Sequence, residues 1–171
     1  MSHLRIRWLC QAAVLCAVIY VFTAWLHIPS VNGYTHIGDG FLYLAASILP
    51  APYAMAAGAI GAGLADLLSG YGIWAPGTII IKALTALCFS HKTSVILCRR
   101  NILGLIPALV LCVGGYYGYE SLITGNLVAP LAGIPGYLTQ VALSSLVYLL
   151  AGRAMDRSGL KARLVNGEKI G

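Results

Sequence analysis

The sequence predicts an all-α integral membrane protein, a six-helix bundle forming one domain over residues 1–171, with both termini in the cytoplasm. The chain is 59% hydrophobic and 9% charged, whereas soluble domains average about 25% charged residues. Its long apolar stretches approach the roughly 20 residues that cross about 30 Å of hydrocarbon. Ten of the eleven Lys and Arg residues fall in segments expected on one side, and basic residues in short loops stay cytoplasmic.

Six apolar segments are predicted as spans. Pro50 and Pro52 break the helix between the second and third segments, and a Gly-rich loop at 69–77 precedes the fourth. The second segment has about twelve residues and reaches only about 18 Å, so it is tilted, extended into the preceding loop, or re-entrant. The predicted spans are residues 8–27, 38–49, 53–68, 78–90, 102–122 and 135–153.

The basic residues orient the chain and argue against a nucleic-acid partner. A formal net charge of +6 is compatible with nucleic-acid binding, but the charges cluster at span ends, as the positive-inside pattern requires. Attraction to anionic lipid headgroups adds to this orientation. The clusters are Arg5 and Arg7; Lys92, Arg99 and Arg100; and Arg153, Arg157, Lys161, Arg163 and Lys169.

Four ionisable residues are expected in the outer half of the bundle: Asp39, Asp66, Lys82 and Glu120. An isolated charge in a membrane segment is costly, so these groups should pair with one another or face a wet cavity. Structural alternatives exist for each acid. Asp39 is also placed to cap a helix, Asp66 and Lys82 are compatible with a purely structural ion pair, and Glu120 with an exposed interfacial position.

Aromatic residues crowd the same end of the predicted bundle. An interfacial aromatic belt is one explanation, and a stacking box for a flat ring ligand is the other. Seven aromatics at this end, against three near the other, favour the second. The seven are Tyr34, Tyr71, Trp74, Tyr116, Tyr117, Tyr119 and Tyr137.

No metal site and no cofactor are predicted. His27, His36 and Asp39 are too few and too scattered to indicate a metal centre. The five cysteines form no C-x-x-C pair, which argues against a zinc site and a disulfide framework.

Small residues spaced four apart predict close helix packing. The first span carries Ala13-x-x-x-Ala17. The third span carries two such stripes, Ala54-Gly58-Ala62 and Ala57-Gly61-Ala65. The third-span stripes suit a central helix, while Ala13 and Ala17 offer a smooth face to a separate membrane protein.

Three stretches of the chain resemble the substrate-binding S components of energy-coupling factor (ECF) importers. The resemblance is to the riboflavin-, pyridoxine- and hydroxymethylpyrimidine-type group, and it covers roughly residues 8–153. The stretches are Ile28-Pro29…Asn32-Gly33-Tyr34…His36-Ile37-Gly38-Asp39, Gly58-Ala59-Ile60-Gly61…Leu64-Ala65-Asp66-Leu67-Leu68-Ser69-Gly70-Tyr71, and Ala75-Pro76-Gly77-Thr78-Ile79-Ile80-Ile81-Lys82.

This resemblance implies a six-helix subunit of a bacterial plasma-membrane importer that captures a vitamin or precursor near the outer face. It implies that the first loop and the loop after the third span close over the site. It also implies a transmembrane coupling subunit and two cytoplasmic ATPases as partners, with Ala13 and Ala17 packing on the coupling subunit. The chain has no G-x-x-x-x-G-K-[ST] motif, so we expect no enzyme activity here and ATP hydrolysis on the partners.

The leading hypothesis is capture of a small planar vitamin-like molecule. Charged residues would orient its polar edge, and aromatic residues would cover its ring. The alternative is a stand-alone proton-coupled carrier or channel for a small polar solute, which requires ionisable groups reaching the inner side. The inner halves of the third to sixth spans have almost none. The candidate substrate-binding residues are Tyr34, His36, Asp39, Asp66, Tyr71, Trp74, Lys82 and Glu120.

Overall fold

The computed structural model describes residues 3–30 and 33–166, and most of this chain is helical. The predicted all-α membrane class fits, apart from one small hairpin. The elements in chain order are α1 (His3–Ala24), β1 (His27–Ser30), β2 (Gly33–His36), α2 (Gly38–Ile48), α3 (Ala51–Leu68), α4 (Ala75–Ala86), α5 (Arg99–Leu103), α6 (Leu105–Thr124), a 3₁₀ helix (Ala129–Gly133), α7 (Ile134–Arg157) and α8 (Leu160–Asn166).

Four helical segments of the described chain are long and apolar enough to cross a membrane: His3–Ala24, Ala51–Leu68, Arg99–Thr124 and Ala129–Arg157. The helices α2 and α4 have 11 and 12 residues, about 17 and 18 Å of rise. Length and composition therefore support four spans, and the count of six stays a prediction, as does the placement of the termini.

The helix boundaries differ from the predicted spans by a few residues. The first helix begins at His3 instead of residue 8, and the fourth covers Ala75–Ala86 instead of 78–90. Pro76 explains the earlier start of α4, because proline suits the first turn of a helix. The predicted break is confirmed at Pro50, which follows Leu49 in an extended conformation, whereas Pro52 lies in the first turn of α3 and does not break it.

The first loop contains an antiparallel hairpin, which the all-α prediction missed. His27 pairs with His36, and Pro29 pairs with Tyr34. A proline is tolerated here because a two-stranded ribbon consists only of edge strands. Asn32 lies outside the described residues. The hairpin brings Tyr34 and His36 next to the N-terminus of α2.

Helix α2 is the centre of the bundle. Ten of its 11 residues are buried, and it contacts α1, α3, α4, α7 and α8. The Tyr43 ring stacks on Phe89 at a centroid distance of 4.8 Å, and Tyr148 packs edge-on at 5.9 Å. Since protein surrounds α2, its length need not match the thickness of the hydrocarbon.

The predicted small-residue packing of α3 is confirmed. Ala54, Ala57 and Ala65 are almost fully buried, and α3 has extensive contacts with α1 and α4. A Cβ atom added at Gly61 would lie 2.7 Å from the backbone oxygen of Cys16. Only glycine allows α1 and α3 to approach this closely.

Residues 87–98, between α4 and α5, are held by two polar side chains. Asn101 is fully buried and donates from Nδ2 to the carbonyls of Ser90 (3.0 Å) and Ile96 (2.9 Å). The Asp156 carboxylate accepts the amides of Ile96 (2.6 Å) and Leu97 (2.9 Å). These bonds satisfy backbone groups that helix geometry leaves unpaired.

Replacing Gly61 with Ala should destabilise the bundle by about 1–3 kcal/mol, because the added methyl group overlaps the backbone of α1. Gly114→Ala is the matched control, since no atom lies within 4 Å of a Cβ there. The control should be neutral or stabilising by up to about 1 kcal/mol. Unfolding in detergent measures both variants, and equal stabilities would contradict the close α1–α3 contact.

Candidate ligand-binding site

A buried ion pair joins α2 to α4. Lys82 Nζ lies 2.8 Å from each carboxylate oxygen of Asp39, and the side chains are 1% and 3% exposed. Gln140 of α7 donates from Nε2 to Asp39 Oδ2 at 2.9 Å. The alternative of an Asp66–Lys82 pair is therefore wrong, because the partner of Lys82 is Asp39.

The ion pair also has a second layer of electrostatic support. Lys82 Nζ lies 5.0 Å from the centroid of the Tyr116 ring, within the range of a cation–π contact. Asp39 is in the first turn of α2, where the helix dipole favours negative charge. The N-cap of this helix is Ile37, so the capping role considered for Asp39 is not observed.

Asp66, near the C-terminus of α3, is 4% exposed and only half satisfied. Its Oδ1 accepts a short hydrogen bond from the hydroxyl of Tyr34. Its Oδ2 is buried and makes no hydrogen bond of normal geometry with any of residues 3–30 and 33–166, although the Thr78 hydroxyl in the pocket wall is a polar neighbour of this carboxylate. An unsatisfied buried oxygen of this kind costs about 1–3 kcal/mol or more.

Asp66 lines a pocket between the hairpin and helices α3, α4, α6 and α7. The space left between the side chains is about 30 Å³, room for about two water molecules. Thr78 and Tyr116 share a hydrogen bond of 3.1 Å in the wall. The lining residues are Tyr34, His36, Asp66, Trp74, Thr78, Tyr116, Tyr137 and Gln140.

Aromatic rings form much of the pocket wall. Tyr116 and Tyr137 are stacked, with centroids 5.2 Å apart and an interplanar angle of 19°. Trp74 lies 6.2 Å from Tyr116. On the other side, Tyr71 packs against Tyr34 at 4.6 Å. This arrangement presents flat apolar faces beside a few polar atoms, the usual composition of a small-molecule site.

Glu120 lies behind the pocket wall. It is 2% exposed, and its Oε2 accepts a hydrogen bond of 3.0 Å from the Tyr137 hydroxyl. This burial excludes the exposed interfacial position considered for Glu120. Its carboxylate orients a ring of the wall.

His36 is a neutral donor in the wall. It is 5% exposed, and its Nδ1 accepts the amide of Gly38 at 3.2 Å, which assigns the proton to Nε2. Burial lowers the pKa of His36 to about 4, against the opposing effect of the Asp39 carboxylate, and the Lys82 charge adds to the lowering. The imidazole is therefore uncharged at neutral pH.

The structure brings all eight predicted site residues to one end of the bundle at different depths. Tyr34, His36, Asp66 and Trp74 line the pocket. Asp39 and Lys82 lie next to it through Gln140, Glu120 lies behind Tyr137, and Tyr71 supports Tyr34. In the described chain no group of three or more His, Cys, Asp and Glu residues is arranged to hold a metal.

Four lining residues were not among the predicted site residues. Tyr116 and Tyr137 were counted only as aromatics of this end. Thr78 and Gln140 carry no charge and belong to no motif that distinguishes them from other polar residues in apolar helices. Gln140 could have been found as a polar residue in an apolar span, since such residues usually face the interior of the bundle. It is 2% exposed.

Replacing Lys82 with Met should destabilise the protein by about 3–5 kcal/mol, because it leaves the Asp39 carboxylate buried without its cation. The double variant Lys82→Met, Asp39→Asn should recover most of this loss, since no unpaired charge remains. Unfolding of the wild type, both single variants and the double variant in detergent gives the coupling energy. Additive effects would show that the pair is not coupled.

Comparison with known proteins identifies one family. The sequence model of the family described as "ECF-type riboflavin transporter, S component" matches residues 3–157. The match extends from the start of α1 to the end of α7, and α8 lies beyond it. No curated protein matched the chain in a separate search.

Proposed function

Because the chain belongs to the ECF-type riboflavin transporter S component family, we propose that its pocket captures a small planar vitamin or vitamin precursor, with riboflavin as the first candidate. The chain is the substrate-binding subunit of such a transporter. The observation that carries the proposal is Asp66, a buried carboxylate with an unsatisfied oxygen in a pocket of aromatic rings.

Asp66 favours a ligand with an N–H or O–H donor. Its Oδ2 has no bond of normal geometry with the described chain, so a ligand donor would remove an existing penalty as well as add a charge-assisted bond. A flat heterocycle with a ring N–H supplies such a donor at its edge. Riboflavin has this chemistry in its imide group.

The charges around the pocket disfavour an anionic ligand. The Lys82 ammonium is already paired with Asp39, and the imidazole of His36 is neutral. Among the described residues that line the pocket, His36 and Asp66 are the only members of the Asp, Glu, His, Lys and Arg group. A phosphorylated vitamin would meet this carboxylate with no unpaired cation beside it, so we expect the free vitamin to bind more tightly.

A ring-sized ligand requires the pocket to open. The present space of about 30 Å³ is far below the 300–1,000 Å³ typical of small-molecule sites. The Tyr34 hydroxyl occupies Asp66 Oδ1 from the hairpin. Outward movement of the hairpin would admit the ligand to Asp66 Oδ2, with the rings of Trp74 and Tyr116 on either side, and its return would restore the hydrogen bond from Tyr34 to Oδ1.

We place this pocket on the outer side of the membrane. The hairpin end of the bundle holds the pocket, and the basic residues near the helix ends lie at the opposite end. The positive-inside rule assigns that opposite end to the cytoplasm. Six crossings with both termini inside follow if α2 and α4 count as short spans.

A groove between α1 and α3 supports the proposed contact with a coupling subunit. Ala13 and Ala17 lie in this groove of about 470 Å³, opposite Ala56 and Ala57 of α3. Small residues on both walls allow a partner helix to approach closely. We expect the coupling subunit to dock here, with two ATPases on its cytoplasmic side.

Replacing Trp74 with Ala should weaken riboflavin binding by about tenfold or more, because stacking of a ring on an aromatic face is lost. Trp25→Ala is the matched control: Trp25 is 77% exposed and does not line the pocket. Isothermal titration of the purified protein with riboflavin measures both dissociation constants.

The control variant should bind riboflavin within about twofold of the wild type. Saturable binding of pyridoxine or hydroxymethylpyrimidine to the wild-type protein, without binding of riboflavin, would identify a different vitamin as the ligand. That result would still support vitamin capture by this pocket. Equal losses in the two Trp variants, or no binding of any planar vitamin, would contradict the proposed pocket.

A further inference from the structure

A second cavity lies at the end of the bundle opposite the pocket. It is formed between the loop at 91–94 and helix α8, and its volume is about 260 Å³. The walls carry three basic side chains and a serine. The lining residues are His91, Lys92, Thr93, Ser94, Lys161, Ala162 and Val165.

Lys161 is buried without a carboxylate partner. It is 3% exposed, and its Nζ donates to the carbonyl oxygen of Val95 at 3.3 Å. Among the described residues it has no salt bridge within 4.0 Å. A buried ammonium with one neutral acceptor is poorly compensated.

The Asp156 carboxylate acts on Lys161 without forming an ion pair with it. Both oxygens of Asp156 accept the amides of Ile96 and Leu97. Asp156 does not line the cavity, whose walls in the described chain carry three basic side chains and no acidic one. The pKa of His91 is lowered by burial and by the charges of Lys161 and Lys92, and burial lowers the pKa of Lys161.

We propose that this cavity binds a phosphate group, carried by an anionic phospholipid or by free phosphate. The two lysines supply charge, and the Ser94 hydroxyl supplies a neutral donor to the remaining oxygens. The anion would give Lys161 the partner that the described chain does not provide. The site is independent of the vitamin pocket and does not require it.

Two arms of one experiment distinguish the sources of the phosphate. In the first, isothermal titration follows inorganic phosphate binding to the purified full chain. In the second, native mass spectrometry compares phosphatidylglycerol with phosphatidylcholine on the same protein. In whichever arm the wild-type protein binds phosphate or phosphatidylglycerol, Lys161→Gln should weaken that binding by about tenfold. Lys92→Gln should weaken it by about threefold.

Arg163→Gln is the matched control. It removes one positive charge from the same helix, but Arg163 is exposed and does not line the cavity, so binding should change less than twofold. Lys92 lines the cavity but is exposed, so its replacement should not disturb folding. Lys92→Gln therefore tests the site if Lys161→Gln does not fold.

Binding of phosphatidylglycerol without binding of inorganic phosphate would identify a lipid headgroup, and the reverse would identify free phosphate. Equal effects of the three variants would reveal only non-specific surface charge and would overturn the site. Absence of binding in both arms would overturn it as well.

Discussion

The ion pair between Asp39 and Lys82 is the constraint on which the pocket end of the bundle depends. It ties the short helices α2 and α4 together at a point where neither ion reaches solvent. Gln140 adds α7 to the same contact. Because desolvation of both ions is costly, their close geometry must be maintained by the surrounding helices. Tyr116, whose ring faces the Lys82 ammonium, and Gln140, which donates to Asp39, both line the pocket.

Because the charges of Asp39 and Lys82 compensate each other, Asp66 is the group that decides which ligand the pocket recognises. An unpaired Lys82 would have favoured an anionic ligand, and without Asp66 the pocket would offer only neutral polar groups. The observed arrangement places one partly satisfied carboxylate among rings. Such a site selects a flat molecule with a donor at its edge. The opposite end of the protein, with its basic loop and α8, has the reverse electrostatic character.

The convergence of acids and one lysine was predictable because charges are rare in apolar segments and each one stands out. The pairing was not predictable, since whether Lys82 meets Asp39 or Asp66 depends on helix packing across the bundle. Gln140 and Thr78 belong to no motif, and their place in the pocket wall depends on how the helices pack. The hairpin was missed because Pro29 and the short polar loop indicate a turn as readily as a strand. The small-residue stripes of α3, by contrast, directly predicted its close packing.

The most direct test of ligand recognition by Asp66 is a double-mutant-type cycle in which one change is made in the protein and the other in the ligand. Riboflavin and an analogue methylated on its imide nitrogen are titrated into the wild type and Asp66→Asn. We expect each change alone to weaken binding by about tenfold and both together to weaken it little further. The reason is that the Asn amide oxygen would accept from Tyr34 and turn its NH₂ group toward the ligand donor. Unchanged binding in Asp66→Asn, or losses that multiply to about a hundredfold, would contradict recognition of the ligand by Asp66.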